Sequence, residues 1–283
     1  MELVELEIFK AVAEHGGITR AAAALNRVQS NVTTRIKQLE ERLGTRLFNR
    51  EGRKLVLSAE GKLLLAYAER LLRLSAEAQA ALKSHGPHGV LKIGALESIA
   101  ATRLPAVLAR YHRAHPAVRL ELVTGTTAAL VERVVRAELE AALVAEPFAA
   151  AGLERRHVFT EELVLISARD HARIASAADA AQHTLLAFTA GCAYRRRLES
   201  WLGRANRATG RVMEYGSYHA IVACAAAGGG IAVVPKSVLR ATGMEAQLAV
   251  HPLPAKIAQA KAMLVWRRGH RSSALDALRK ELD

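Results

Sequence analysis

The chain has 283 residues, 51% of them hydrophobic, with mean hydropathy near zero and a net charge of +13. That length supports two or three domains with real cores, and no segment reaches the roughly 18 uninterrupted apolar residues of a membrane span. Only Cys192 and Cys224 are present, which argues against a disulfide framework and fits a reducing cytoplasm. The acidic, amphipathic start MELVELEIFK reads against a secretory leader.

A first helix is expected over about 3–15, with Leu6, Phe9 and Ala13 on one face and Gly16-Gly17 as its stop. A short Ala-rich helix, Thr19 to Leu25, follows, then a polar turn and a helix from about Gln29 to Leu43. On that last helix Val32, Ile36, Leu39 and Leu43 fall in one narrow sector at about 100° per residue, an apolar stripe. Ser30, Thr33, Thr34 and Lys37 lie opposite, with Gln29 at the N-terminal end, so the outer face offers hydroxyls, an amide and an ammonium to base edges and phosphates. Small Ala21 and Ala22 let the two helices cross closely, as a helix-turn-helix requires. Arg27 and Val28 stand in the turn where an apolar residue and a capping Ser are usual, leaving Ser30 as the available cap. Beyond Gly44, Leu47, Phe48, Leu55 and Leu57 anchor a small hairpin turning at Glu51-Gly52, a wing that presents Arg50, Arg53 and Lys54 to phosphates. Residues 18–54 hold nine Lys/Arg against three Glu, the clustering expected of a nucleic-acid face.

These segments, LEIFKAVAEHGGITRAA, the helix-turn-helix itself and LGTRLFNREGRKLVLSAEG, together resemble the N-terminal domain of LysR-type transcriptional regulators over residues 1 to about 84. The resemblance implies double-stranded promoter DNA as a partner and a homo-oligomer built as a dimer of dimers. It also implies an α/β effector domain of two lobes similar to type 2 periplasmic binding proteins.

Residues 58–84 read as one helix starting at a Ser cap, roughly 40 Å long. Leu64, Tyr67, Leu71, Leu74, Ala78 and Ala81 recur at heptad spacing, a seam that suits a partner helix. His85-Gly86-Pro87-His88-Gly89 is a hinge-type linker. Strands then alternate with helices: strands at 90–93, 118–123 and 141–144, helices at about 101–114 and 126–139, and further strands at 163–166 and 231–235. That is βαβ logic and predicts parallel sheet. The expected division is 1–58 for the winged helix-turn-helix, 59–88 for the linker helix and hinge, and 89–283 for the effector domain. Lobe I would span about 89–161 and 266–283 and lobe II about 162–265, with strands crossing near 161–164 and 262–266.

In a two-lobed fold, ligands bind at strand C-termini and helix N-termini. That rule selects Glu97-Ser98, the run from Thr124 to Thr127, the run from Gly191 to Arg195, and the run from Gly216 to His219. The expected effector-binding residues are Ser98, Thr126, Cys192, Tyr194, Arg195 and Tyr218. Regulators of the resembled family use Ser98-like and Thr126-like positions for this purpose, and the Gly-Cys-x-Tyr-Arg run resembles one branch of it. Hydroxyls, helix-start amides and the Arg195 guanidinium favour a small anion such as a carboxylate, whereas Glu97 would favour an amine. Cys192 and Cys224 read as packing residues, since no CxxC or adjacent base supports activation. Eleven histidines form no metal spacing, and no nucleophile elbow or acid/base pair is visible, so neither metal, cofactor nor catalysis is expected. A transport-type solute-binding module without DNA binding is the alternative reading.

Overall fold

The computed structural model describes residues 1–51, 54–83, 86–209 and 211–282, leaving out the side chains of residues 50, 51, 54, 77, 80–83 and 204–209. The chain folds as two units, 1–85 and 86–283.

In the first unit α1 (Leu3–His15) ends at Gly16, whose positive φ of 62° suits a residue without Cβ. The helices α2 (Ile18–Ala24) and α3 (Gln29–Leu43) form the helix-turn-helix. Val32, Ile36 and Leu39 are buried against Leu6, Phe9, Val12, Ala21 and Ala22, while Leu43, the last residue of the expected stripe, is exposed. Helix α3 begins at Gln29 with Val28 as its N-cap and no side-chain cap, so Ser30 does not take that role. Glu5 is buried and accepts two bonds from Arg42, at 2.9 and 3.0 Å, pinning α1 to the end of α3. Its carboxyl is held below the usual range, first by the Glu2 amide and then, against the opposing effect of burial, by Arg42.

The strands β1 (Phe48–Glu51) and β2 (Lys54–Leu57) pair antiparallel as the expected wing. Ser58 Oγ accepts from the Gly61 amide (2.9 Å) and donates to Arg46 O (2.7 Å), which starts α4 (Ala59–Lys83) and ties it to the wing. Helix α4 crosses the wing so closely that a Cβ on Gly61 would overlap Leu47 O. Leu64 packs on this unit's own core, whereas Tyr67, Leu71 and Leu74 are exposed along with Ala78. The last seam residue, Ala81, lies outside the described side chains.

The second unit opens with β3 (Gly89–Ala95), α5 (Glu97–Thr102) and α6 (Leu104–Ala114). The single helix expected at 101–114 is thus two, broken at Arg103. Pro105 in the first turn of α6 lacks an N–H and its ring would crowd the carbonyl four residues back. Then come β4 (Val118–Thr124), α7 (Thr127–Val135) and β5 (Ala141–Ala145). Helix α7 ends short of the expected 139 because Ala137 takes a positive φ of 61°.

Strand β6 (Leu153–Ala168) runs through both lobes. It pairs with β11 (Gln259–Arg267) as far as Glu162 and with β9 (Ala232–Pro235) from Leu163 onward. Between them lie α8 (Ala177–Ala180), β7 (Leu185–Phe188), α9 (Ala193–Thr209), β8 (Val212–Tyr215) and α10 (Tyr218–Ala226), and after β9 come α11 (Lys236–Thr242), β10 (Leu248–His251) and α12 (Ala255–Ala258). Strand β11 also pairs with β5 along Ala262–Trp266, so it belongs to lobe I. The return between lobes therefore falls before Gln259, and the boundary placed at 265/266 from sequence shifts accordingly. The lobe I sheet, β6-β11-β5-β3-β4, is parallel where β5, β3 and β4 meet and antiparallel at β11. In lobe II, β10 and β9 both pair antiparallel with β6, and β7 pairs parallel with β8. Helix α13 (Ser273–Glu281) packs on α6, with Tyr111 OH donating to Ala274 O at 2.8 Å.

Lobe II contains a compact histidine group. His251 is buried on β10, and its Nδ1 accepts the Ile174 N–H (3.1 Å). That bond fixes the ring hydrogen on Nε2, 2.8 Å from Ser167 Oγ. The rings of His171 and His183 pack edge-on at 4.5 Å, with His251 6.0 Å from His171.

Candidate DNA interface and effector site

On α3, Gln29, Ser30, Thr34 and Lys37 are exposed and Thr33 is half-buried. The Thr33 hydroxyl already donates to Gln29 O at 2.9 Å, which leaves its oxygen lone pairs and methyl as the outward groups. Ser30 and Thr34 line a shallow hollow of about 470 Å³ together with Val28, Asn31, Arg35 and Gln38. Asn31, Arg35 and Gln38 were not among the sequence candidates, although the same helical spacing places them beside Ser30 and Thr34. The wing candidates are not settled in the same way: Arg53 lies outside the described residues, and Arg50 and Lys54 lie on β1 and β2 with side chains outside them.

The second site forms where β3 and β4 end side by side. The pairing of Ala95 with Thr124 puts the start of α5 next to that of α7. Ser98 is 1% exposed and its Oγ has no hydrogen-bond partner besides the Tyr194 hydroxyl. Glu97 reaches across to lobe II, where its Oε1 accepts the Tyr218 N–H at the start of α10 (3.4 Å). Its Oε2 is buried and unpartnered, and burial pushes the carboxyl above its ordinary range. From lobe II, Tyr194 and Tyr218 are buried, and Cys192 Sγ lies 3.6 Å from Tyr218 OH. The Tyr194 hydroxyl interacts with that of Ser98 and has no further partner. Burial raises the pKa of both phenols, so they are neutral hydrogen-bonding groups at physiological pH. Phe188 stacks on Tyr218 with ring centroids 5.0 Å apart.

The lobes meet a few residues away. Thr126 caps α7 by accepting from the Ala129 amide (3.4 Å), and the Ala128 amide donates to Gly191 O from lobe II (3.3 Å). Gly191 has φ +89°, and a Cβ there would come within 2.8 Å of Thr126 Oγ1, so this approach requires glycine. The anion cradle expected at Thr124 to Thr127 is therefore filled by the protein's own oxygens.

Four of the six expected effector residues, Ser98, Cys192, Tyr194 and Tyr218, are clustered with Glu97, and Thr126 stands at the adjoining contact. Arg195 is the exception. Its Nε pairs with Glu199 (2.7 Å) and its Nη1 with Glu214 (2.6 Å) and Phe188 O (3.2 Å), so the guanidinium that supported a carboxylate ligand is already neutralised. An i, i+4 Glu partner was visible in sequence, but Glu214, on another strand, was not.

A second hollow of about 450 Å³ lies between α5, β6 and α11, lined by Thr102, Arg103, Glu161, Glu162, Lys236 and Ser237 among others. Four of its five charged side chains are paired within it, the fifth being the exposed Arg240. Buried Glu161 accepts from Arg103 (2.8 Å) and Ser237 (2.9 Å), and Lys236 pairs with Glu162 (3.0 Å). No sequence signal pointed to this network, because its members lie 58 to 76 residues apart.

Both domains match known families. Residues 3–62 match the bacterial regulatory helix-turn-helix protein, lysR family, and residues 84–283 match the LysR substrate binding domain. The chain is 40% identical to the uncharacterized HTH-type transcriptional regulator YusT of Bacillus subtilis, covering 100% of this chain and 95% of that one. It is 36% identical to the HTH-type transcriptional regulator GltR of the same organism, covering 95% and 91%. Its fold is similar to that of a full-length OxyR variant from Pseudomonas aeruginosa, with TM-score 0.75, 23% identity and coverage of 100% and 94%. It is also similar to full-length CbnR complexed with its target DNA, with TM-score 0.71, 21% identity and coverage of 100% and 99%. Among the described residues no helix is long and apolar enough to cross a membrane. A DNA-reading helix, a wing and a two-lobed domain in this order set aside the transport-type alternative: the chain belongs to the LysR family of transcriptional regulators, which bind DNA under the control of a small effector.

Proposed function

We propose that α3 enters the major groove with Gln29, Ser30, Thr33 and Thr34 toward base edges and Lys37 toward phosphate, while Arg50, Arg53 and Lys54 of the wing hold the flanking backbone. The observation that carries this reading is the division of α3 into a buried apolar stripe and an exposed polar face beginning at its N-terminus. Two such helices must be held together to read a two-part site. The exposed Tyr67, Leu71 and Leu74 of α4 supply the pairing seam, giving a dimer and then a dimer of dimers, at work in the cytoplasm where promoter DNA lies.

The effector occupies the interlobe cluster of Ser98, Cys192, Tyr194 and Tyr218 with Thr126 at its edge. The Ser98 and Tyr194 hydroxyls there have only each other, so each keeps hydrogen-bonding capacity that a ligand or water can meet. Binding shifts the population between arrangements of the oligomer and so changes the spacing of its DNA-binding units. The reading is tested by titrating full-length protein with promoter DNA from its own upstream region, with and without Leu71→Lys. The charge should break the dimer and weaken binding to the two-part site by at least tenfold. Unchanged mass in light scattering together with unchanged DNA affinity would remove α4 from the interface.

A further inference from the structure

The interlobe cluster is rich in acceptors and poor in cations. Glu97 presents a buried Oε2 with no partner, beside the Ser98 and Tyr194 hydroxyls, which have only each other. The guanidinium and ammonium groups that could have answered it are used elsewhere. Arg195 serves Glu199 and Glu214. Arg197 is given to the carbonyls of Glu146 and Lys256, at 3.1 and 3.0 Å. Lys236 serves Glu162. The exposed imidazole of His219 is the base whose charge reaches Glu97. On the anion side, the first turn of α7 is already met by Thr126 Oγ1 and Gly191 O. The cluster also has an aromatic wall, Phe188 stacked on Tyr218 with Tyr194 6.5 Å from it, and such faces attract ammonium groups.

We infer that the effector carries a protonated primary amine, which donates to Glu97 Oε2 and to the hydroxyls of Ser98 and Tyr194 while resting against the Tyr218–Phe188 wall. This inference deepens the interlobe reading given above and rests on it. A carboxylate with one oxygen buried and unpartnered is costly, and an ammonium with three donors offsets that cost in a way no carboxylate ligand could.

The test uses full-length protein at pH 7.5, with thermal shift and isothermal titration against 1-aminopropane, 1,4-diaminobutane and ethanolamine, and against matched butyrate and succinate. Glu97→Gln removes the charge but keeps an oxygen for the Tyr218 amide, so the fold should hold. At least one amine should stabilise the natural protein and lose at least tenfold in affinity in Glu97→Gln, with both carboxylates inert. If no amine binds, or if amine binding persists in Glu97→Gln, the inference is wrong. If a carboxylate binds and Ser98→Ala abolishes that binding, the interlobe site stands and the amine assignment fails. Binding of any probe that is indifferent to Ser98→Ala, Thr126→Val and Glu97→Gln alike would overturn both.

Discussion

The two units handle polar groups in opposite ways. In the N-terminal unit the side chains proposed to read DNA stand outside, on one face of α3, and the core beneath them is almost wholly apolar, with Glu5, paired to Arg42, and Ser58 as its buried polar groups. In the effector unit the groups proposed to bind effector are inside, and most polar groups between the lobes already have partners from the chain itself. The difference follows from the ligand. A DNA groove is large, fixed in shape and approached from solvent, so its reader is a surface. A small molecule must be desolvated, so the groups proposed to read it are buried.

The comparison can be broken most forcefully through a core residue. Leu39 is fully buried under the DNA-reading face, and Leu39→Ala should cost about 2–5 kcal/mol. Two-transition urea melts should show the N-terminal transition moving while that of residues 86–283 stays in place; joint movement would show that the units are not separable. Next, Gln29→Ala should cost about 1–3 kcal/mol at the cognate site and little on random DNA. Equal losses in anisotropy titrations on both DNAs would take Gln29 out of base readout.

Two smaller effects sharpen the other side. The Glu97 carboxyl has its pKa raised in the fold, so the native state holds that proton more tightly than the unfolded chain. Stability therefore falls as pH rises from the ordinary value of 4.5 through the raised one. Glu97→Gln should flatten that slope and add on the order of 1 kcal/mol near neutrality, the scale of an unsatisfied buried polar group. A less stable Glu97→Gln protein in urea melts at pH 7 would contradict the uncompensated charge. The smallest effect concerns His251, whose pKa is lowered by burial and then by His171, Arg173 and His183. Here the unfolded chain takes up the proton first. The contribution is complete above the ordinary value of 6.5 and is lost as pH falls through it toward the lower folded value. Urea midpoints of the effector unit should drop between pH 7.5 and 5, and His251→Gln should lessen the drop.

How far each unit could be read from sequence follows the same division. The helix-turn-helix and wing were legible because helical periodicity sorts apolar from polar residues when one face is buried and the other wet. The first ten residues of β6, LERRHVFTEE, escaped because their strand is held by β11, about a hundred residues further on, rather than by its own alternation. Rules about strand and helix ends selected Ser98, Cys192, Tyr194 and Tyr218 as effector-binding candidates, and the fold brings these four together because topology alone gathers such ends. They could not show that Arg195 is consumed by Glu214, nor that Glu97 reaches Tyr218 across 121 residues. Proximity in these folds is topological and so predictable, whereas charge balance is a matter of individual rotamers.

Gly61 has a geometric consequence. The 25 residues of α4 leave the wing at a point where the missing Cβ lets the helix axis lie against Leu47 O. A helix of that length is about 37 Å long. A methyl group at its root that tilted it by roughly 10° would swing its far end by about 6 Å, close to a fifth of a turn of duplex DNA. The one atom absent at position 61 therefore sits at the fulcrum of a lever, and the shift that relieved its overlap with Leu47 O would be magnified into a mismatch between the protein and the pitch of its operator.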